Sequence, residues 1–190
     1  PSFHRAAAYI KRFSEKAAER GIETHLEINQ SVEQVHNLLD AVDNPMVKIF
    51  FDSQNLYVYD GTSMARYFTA LAGLIGGVHL KDGVGPMLSG SLLGEGTSGF
   101  FRTARAILDS DYKGCLILES VYDKASVCGR GAPEELLAKE DRAKFRQLAG
   151  AVKDGALHTG QCKFDWIDSL LDRAVSGKKR FEGLSKFDRL

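Results

Sequence analysis

The sequence predicts a parallel α/β protein, and three observations carry that prediction. Short apolar runs bounded by Gly, Pro, Asn or Asp alternate with longer segments of helical periodicity, in the order αβαβαβαβ up to residue 119. The runs lie between helical segments and read as buried strands, which suits a parallel sheet covered by helices. Late in each run stands a side chain able to bind a cation: Glu27, Asp52, His79 and Glu119. In parallel sheets, ligand sites lie beyond the carboxyl ends of the strands. If the four runs are neighbours, one imidazole and three carboxylates converge there, a donor set for one divalent metal ion.

The elements follow in order. Residues 3–20 form a helix, with Ala6, Ala7, Tyr9, Ile10, Phe13 and Ala17 at helical spacing and Gly21 as its stop. The strand Thr24–Ile28 comes next. Ser31 is a candidate N-cap for a helix over 33–42, whose apolar face is Val32, Val35, Leu38, Leu39 and Val42. Asp43-Asn44-Pro45 breaks it before the strand Val47–Asp52. A helix over 63–74 leads into the strand containing Ile75, Val78, His79 and Leu80, and a Gly-rich loop spans 82–99. Within that loop, Gly94-Glu95-Gly96 reads first as a tight turn, and Glu95 as a support for the strand-end group is the alternative. Phe100–Leu108 is helical, and a turn over 109–114 enters the strand Cys115–Glu119. Beyond it lie a polar loop over 121–132, amphipathic helices over 133–152 and 164–175, and a Lys- and Arg-rich tail over 176–190. The tail's basic cluster Lys178-Lys179-Arg180 reads as a solvated face. The organisation expected is therefore 1–122 as one unit, with 123–190 a helical extension and basic tail.

Composition narrows the function classes. With 44% apolar and 26% charged residues over 190 positions, the chain is long enough for a substantial core. Its 25 basic and 25 acidic residues leave no net charge, so no global field favours nucleic acid or an anionic membrane. No run approaches the ~18 apolar residues of a membrane span, and the opening residues lack a signal-peptide pattern. Cys115, Cys128 and Cys162 are odd in number and lack metal-type spacing. They read as free thiols, Cys115 as a small core residue, and the expected location is the cytoplasm.

Taken together, Leu-Glu-Ile-Asn (26–29), Phe-Asp-Ser-Gln-Asn (51–55), Val-His-Leu-Lys-Asp (78–82), Leu-Gly-Glu-Gly (93–96) and Leu-Ile-Leu-Glu-Ser (116–120) resemble the second half of the sugar isomerase/epimerase family. These are xylose isomerase-like (β/α)8 TIM barrels. The resemblance implies that this chain supplies strands five to eight, with residues 1–122 as the C-terminal half of the barrel. By position it makes Glu27, Asp52, His79 and Glu119 ligands of one divalent ion. Glu27 and Glu119 are also implied as acid and base on opposite faces of the substrate. Glu33, six residues past Glu27, matches a position that contacts substrate in some members. Asn55 stands where many members carry a His, and is a further candidate substrate contact. Lys81, two residues past His79, is another, with a surface pair to Asp82 as the alternative. An Arg common shortly after the metal-binding His is absent, since Gly83-Val84-Gly85-Pro86 stands there. These departures bear on the substrate more than on the metal.

The implied chemistry is proton transfer next to a carbonyl in a small sugar, polyol or hydroxy-keto acid. Removing that proton forms an enediolate, whose charge a chelated metal stabilises as a Lewis acid. A carboxylate beside it serves as general base, worth ~10²–10⁴-fold. Mn, Mg, Co and Zn all suit three oxygens and one imidazole. A dehydratase would keep the same ligands. An endonuclease IV-like enzyme would need a His-rich zinc cluster, yet no His stands three past Asp52 and no Asp-x-His follows His79. The non-enzyme alternative is a half-barrel that binds or oligomerises without turnover. Four strands leave two unpaired edges and an inner face with Ile28, Phe50 and Leu118 nearby, so the expectation is a homo-oligomer or association with an N-terminal half.

Overall fold

The computed structural model describes residues 2–86, 88–122 and 133–153. The expected helix over 164–175 and the basic tail lie outside the described residues. The chain begins with α1 (Ser2–Ala18) and β1 (Thr24–Leu26), followed by α2 (Val32–Val42) and β2 (Val47–Asp52). A short α3 (Asn55–Asp60) and α4 (Met64–Leu71) come next, and a 3₁₀ turn at Ala72–Leu74 leads into β3 (Ile75–Leu80). Then come α5 (Phe100–Leu108), β4 (Cys115–Leu118) and α6 (Glu134–Lys153). The strands form one all-parallel sheet in the order β1-β2-β3-β4. Sequential parallel neighbours, each joined by a helical crossover, are the repeating unit of a (β/α) barrel wall. No helix of the described residues is long and apolar enough to cross a membrane.

The main core lies between the sheet and its helices. Ile49, Phe51, Val78 and Leu80 of the strands meet Phe68 and Leu71 of α4, and Ala104, Ile107 and Leu108 of α5. Phe51 and Phe68 are 1% and 0% exposed and meet edge-to-face at 5.2 Å. Truncating either to Ala would cost about 3–5 kcal/mol. α6 belongs to the same body, since its Phe145 and Leu148 pack on this core. Ser31 caps α2 as its position suggested, in a reciprocal box. Its hydroxyl accepts from Gln34 N–H, and the Gln34 side chain accepts from Ser31 N–H.

Local features departed from expectation in four places. α3 had no periodic signal; it forms because Asp52 Oδ1 accepts from the N–H groups of Gln54 and Asn55 at 2.8 and 2.7 Å. By strand alternation His25 is expected opposite Leu26, toward the helix layer and without a metal role, but its ring lies over Gly76 beside Phe50 instead. It pairs in register with Lys48, and its ring lies 5.8 Å from that of Phe50, which is 4.2 Å from that of His79. A register shift between Ile49 and Phe50 lets these rings lie across β3. A Cβ at Gly76 would run into the His25 ring, and one at Gly77 into Phe50, so glycine at both positions leaves room for these rings. Ile28 and Leu118 pack with the main core, leaving Phe50 on the inner face. Cys115 is exposed, not a core residue, and Ile117 is 44% exposed. Both sit on β4, which among the described residues pairs only with β3.

Candidate active site

The four strand-end side chains come together. One donor atom from each of Glu27, Asp52, His79 and Glu119 can be chosen so that all lie within 4.8 Å of one another. Register explains it: Asp52 pairs with His79, and the adjacent β3–β4 ladder is continued by Glu119 N–H donating to Leu80 O at 2.9 Å. β1 and β4 are the two ends of the strand order, so Glu27 and Glu119 reach His79 from opposite sides. His79 Nδ1 lies 3.5 Å from Glu27 Oε2 and 3.2 Å from Glu119 Oε2. The Glu27 and Glu119 side chains are each 42% exposed and His79 is 19% exposed, so the group opens to solvent on the glutamate sides.

Each carboxylate is held differently. Asp52 spends Oδ1 on capping α3, and its Oδ2 lies 2.8 Å from Lys81 Nζ, an ion pair rather than an aligned hydrogen bond. Burial pushes the Asp52 carboxyl above the usual carboxylate value, against the opposing pull of Lys81 and the two N–H donors. Glu27 Oε1 accepts from Asn55 Nδ2 at 3.1 Å. Glu119 Oε2 accepts from Lys81 Nζ at 3.0 Å. Glu33 stands exposed in the first turn of α2, just beyond Glu27 in the chain.

Lys81 and Asp82 are both buried, at 3% and 0%, and do not form the surface pair considered from sequence. Lys81 turns into the carboxylate group. Asp82 instead accepts hydrogen bonds from its own loop. These come from Gly83 N–H, Gly94 N–H, Gly96 N–H and the Ser98 hydroxyl, at 2.7–3.1 Å. Burial raises its pKa to about 6 in spite of these donors. Glu95 lies 3.4 Å from Lys144 of α6, tying this loop to the helix.

Three contributors carry no clear sequence signal. Ser53, fully buried, donates to Lys81 O at 2.7 Å and accepts from Lys81 N–H at 2.8 Å, locking the ends of β2 and β3 together. Gln54 Oε1 accepts from Ser89 N–H at 2.8 Å. Asp141 of α6 accepts from Leu93 N–H, the Ser120 hydroxyl and the Tyr122 hydroxyl at 2.8, 2.9 and 3.2 Å. For Ser53 and Gln54 the one hint is position, one and two residues after Asp52. A cleft of about 500 Å³ between the starts of α2 and α4 is lined by Val32, Thr62, Ser63, Arg66 and Tyr67. None of the four strand-end residues lines it, so it is a separate feature.

The donor set fits a divalent ion. His79 Nδ1 is buried and has no hydrogen-bond partner, and it faces carboxylate oxygens. A cation among them satisfies nitrogen and oxygens at once. Metal–ligand bonds of about 2.1 Å place donors on one ion ~3–4 Å apart, so the group is nearly closed around such a point.

A parallel sheet with crossover helices and a His–carboxylate group at its strand ends defines a portion of a (β/α) barrel with a site at the carboxyl-terminal face. The chain belongs to the xylose isomerase-like TIM barrel family, whose model matches residues 2–148. Comparison with curated protein sequences gives no match. Among solved structures, an L-ribulose 3-epimerase superposes with a TM-score of 0.63 at 19% identity, covering 85% of this chain and 59% of that one. A xylose isomerase domain protein from Planctomyces limnophilus gives 0.62 at 19% identity, covering 82% and 53%. A D-psicose 3-epimerase with D-tagatose from Clostridium cellulolyticum H10 gives 0.58 at 17% identity, covering 84% and 57%. At these identities the likeness is one of fold. The chain spans a little over half the length of these structures.

Proposed function

We propose that this chain supplies the metal-binding half of an isomerase or epimerase that moves a proton on the carbon beside a carbonyl in a small sugar, polyol or hydroxy-keto acid. The observation that carries this reading is the meeting of Glu27 and Glu119 on either side of His79, at 3.5 and 3.2 Å. In this reading Glu27, Asp52, His79 and Glu119 hold one divalent ion, with Mn, Mg, Co and Zn all suited to the donor set. When bound, that ion supplies Lewis-acid stabilisation of the charge that builds on the carbonyl oxygen. The remaining work falls to the chain. The Asn55 amide holds one oxygen of Glu27 and leaves Oε2 to take the proton as general base, worth ~10²–10⁴-fold. Glu119, arriving from the other end of the sheet and open to solvent, takes up a proton from water and delivers it to the opposite face, while Glu27 releases its own to solvent. Asn55 Oδ1 is buried with no hydrogen-bond partner, an acceptor suited to a substrate hydroxyl. Glu33 completes the substrate-side set, while the Lys81 ammonium is buried against Asp52 and Glu119. Residues 1–122 supply the barrel half, and 123–190 an extension whose described helix α6 packs against β4 and α5.

Deuterium wash-in tests this. Candidate ketoses, incubated in deuterated water with metal-loaded protein in the assembly that closes the barrel, gain label at the carbon beside the carbonyl. Glu27→Gln and Glu119→Gln each lower the rate by ~10² or more. No label in any ketose while metal is bound would leave a half-barrel that binds without turnover.

A further inference from the structure

Lys81 makes an unusual neighbour for a cation site. Its ammonium is almost fully buried, 2.8 Å from Asp52 Oδ2 and 3.0 Å from Glu119 Oε2. These are two of the same carboxylates that the metal reading assigns as ligands. A buried ammonium is costly to place unless it is paired, and here the local backbone is built to keep it in place. Ser53 bridges the Lys81 main chain through both its N–H and its C=O.

Charge counting gives the arrangement a purpose. As metal ligands, Glu27, Asp52 and Glu119 bring three negative charges and an imidazole brings none, so without Lys81 a divalent ion would leave one negative charge uncompensated. With the ammonium included, the group carries two negative charges, which a divalent ion neutralises. We propose that Lys81 is the fixed counter-charge of the metal site, holding Asp52 and Glu119 together when no ion is bound and setting the site's preference for divalent over trivalent ions. This rests on the metal reading above and adds a role for one residue that is neither ligand nor acid–base group. Lys81 acts through the two carboxylates and is therefore a positioning residue.

The test compares terbium(III) with manganese(II) on the whole chain, in the unmodified protein, Lys81→Met and the double variant Lys81→Met/Glu119→Gln. The affinity ratio of the two ions cancels any loss common to both. One unit of charge acting over ~5 Å at an effective dielectric of ~20 changes that ratio on the order of 10²-fold. Lys81→Met should raise the terbium-to-manganese ratio at least tenfold. The double variant, again with two negative charges, should bring it back near the unmodified value. Metal-free melting should fall in Lys81→Met and recover in the double variant, which a packing role for the lysine stem does not predict. An unchanged ratio in Lys81→Met, with both ions still bound, overturns the role of Lys81 and leaves the metal site standing. Binding of neither ion by the unmodified chain overturns the metal reading itself, and this inference with it. If Lys81→Met does not fold, the double variant decides, since its failure to fold as well would refute charge balance.

Discussion

Asp141 offers a perturbation whose size can be worked out from its contacts. It is fully buried on α6 and ties that helix to two other segments: the loop at Leu93, and the stretch just past Glu119 through Ser120 and Tyr122. Burial raises its pKa in spite of these donors and of Lys144 nearby. Asp141→Ala strands the N–H of Leu93, itself 0% exposed, while the two hydroxyls sit nearer the surface and can rehydrate. One buried unsatisfied donor costs about 1–3 kcal/mol, and the lost contacts of the removed carboxyl bring the total to roughly 3 kcal/mol. For a chain of this length that corresponds to a fall of roughly 6–12 °C in melting temperature. Asp141→Asn behaves differently. One amide oxygen still accepts from Leu93 N–H, the amide NH₂ can donate to the hydroxyls once they turn, and a buried charge is removed. Its loss should be under about 1 kcal/mol, with no loss at all at neutral pH an acceptable result. Urea and thermal melting of both variants, with hydrogen exchange along α6, make the comparison. Equal losses in the two variants would refute the argument that hydrogen-bond acceptance, rather than charge, is what Asp141 contributes.

Other expectations follow from the site and the sheet. A chelator-stripped sample should rebind about one divalent ion, and Glu119→Gln or His79→Ala should weaken binding at least tenfold; unchanged affinity in both would remove the ligand assignment. Asp82 has a folded pKa of about 6 against 3.8, so its share of stability is fully present below pH ~4 and is lost as pH rises through about 6. The difference in stability between the unmodified chain and Asp82→Asn should therefore drift against the unmodified chain by about 3 kcal/mol from pH 4 to pH 7, and a flat difference would show that Asp82 does not titrate there. β1 and β4 each pair on one side only among the described residues, while Ile117, Tyr9 and Phe13 are 44%, 72% and 58% exposed. Sedimentation at low micromolar concentration should show self-association or a companion half-barrel, strengthened by added metal. A single monomer with a sharp melt would show that the described helices complete the fold.

The four strand-end residues were legible because the evidence for them is local. An apolar run predicts a strand, parallel alternation predicts that strands end at one face, and a carboxylate or His late in each run needs nothing further to be placed there. Ser31 and the start of α2 were legible for the same reason, since a cap and its partner lie three residues apart. Lys81 was half legible: two residues past His79, it shares that residue's face by strand alternation. Which anions it meets depends on the pairing of Asp52 with His79 and on the ladder continued by Glu119, and no local pattern encodes register. Asp141 lies 21 residues beyond Ser120 and 48 beyond Leu93, so only the docking of α6 could bring it to either. Cys115 shows the same limit from the other side. An apolar run marks a strand but not whether both its faces are covered, because cover comes from elements far away in the chain, and that is decided only when the sheet and its helices assemble.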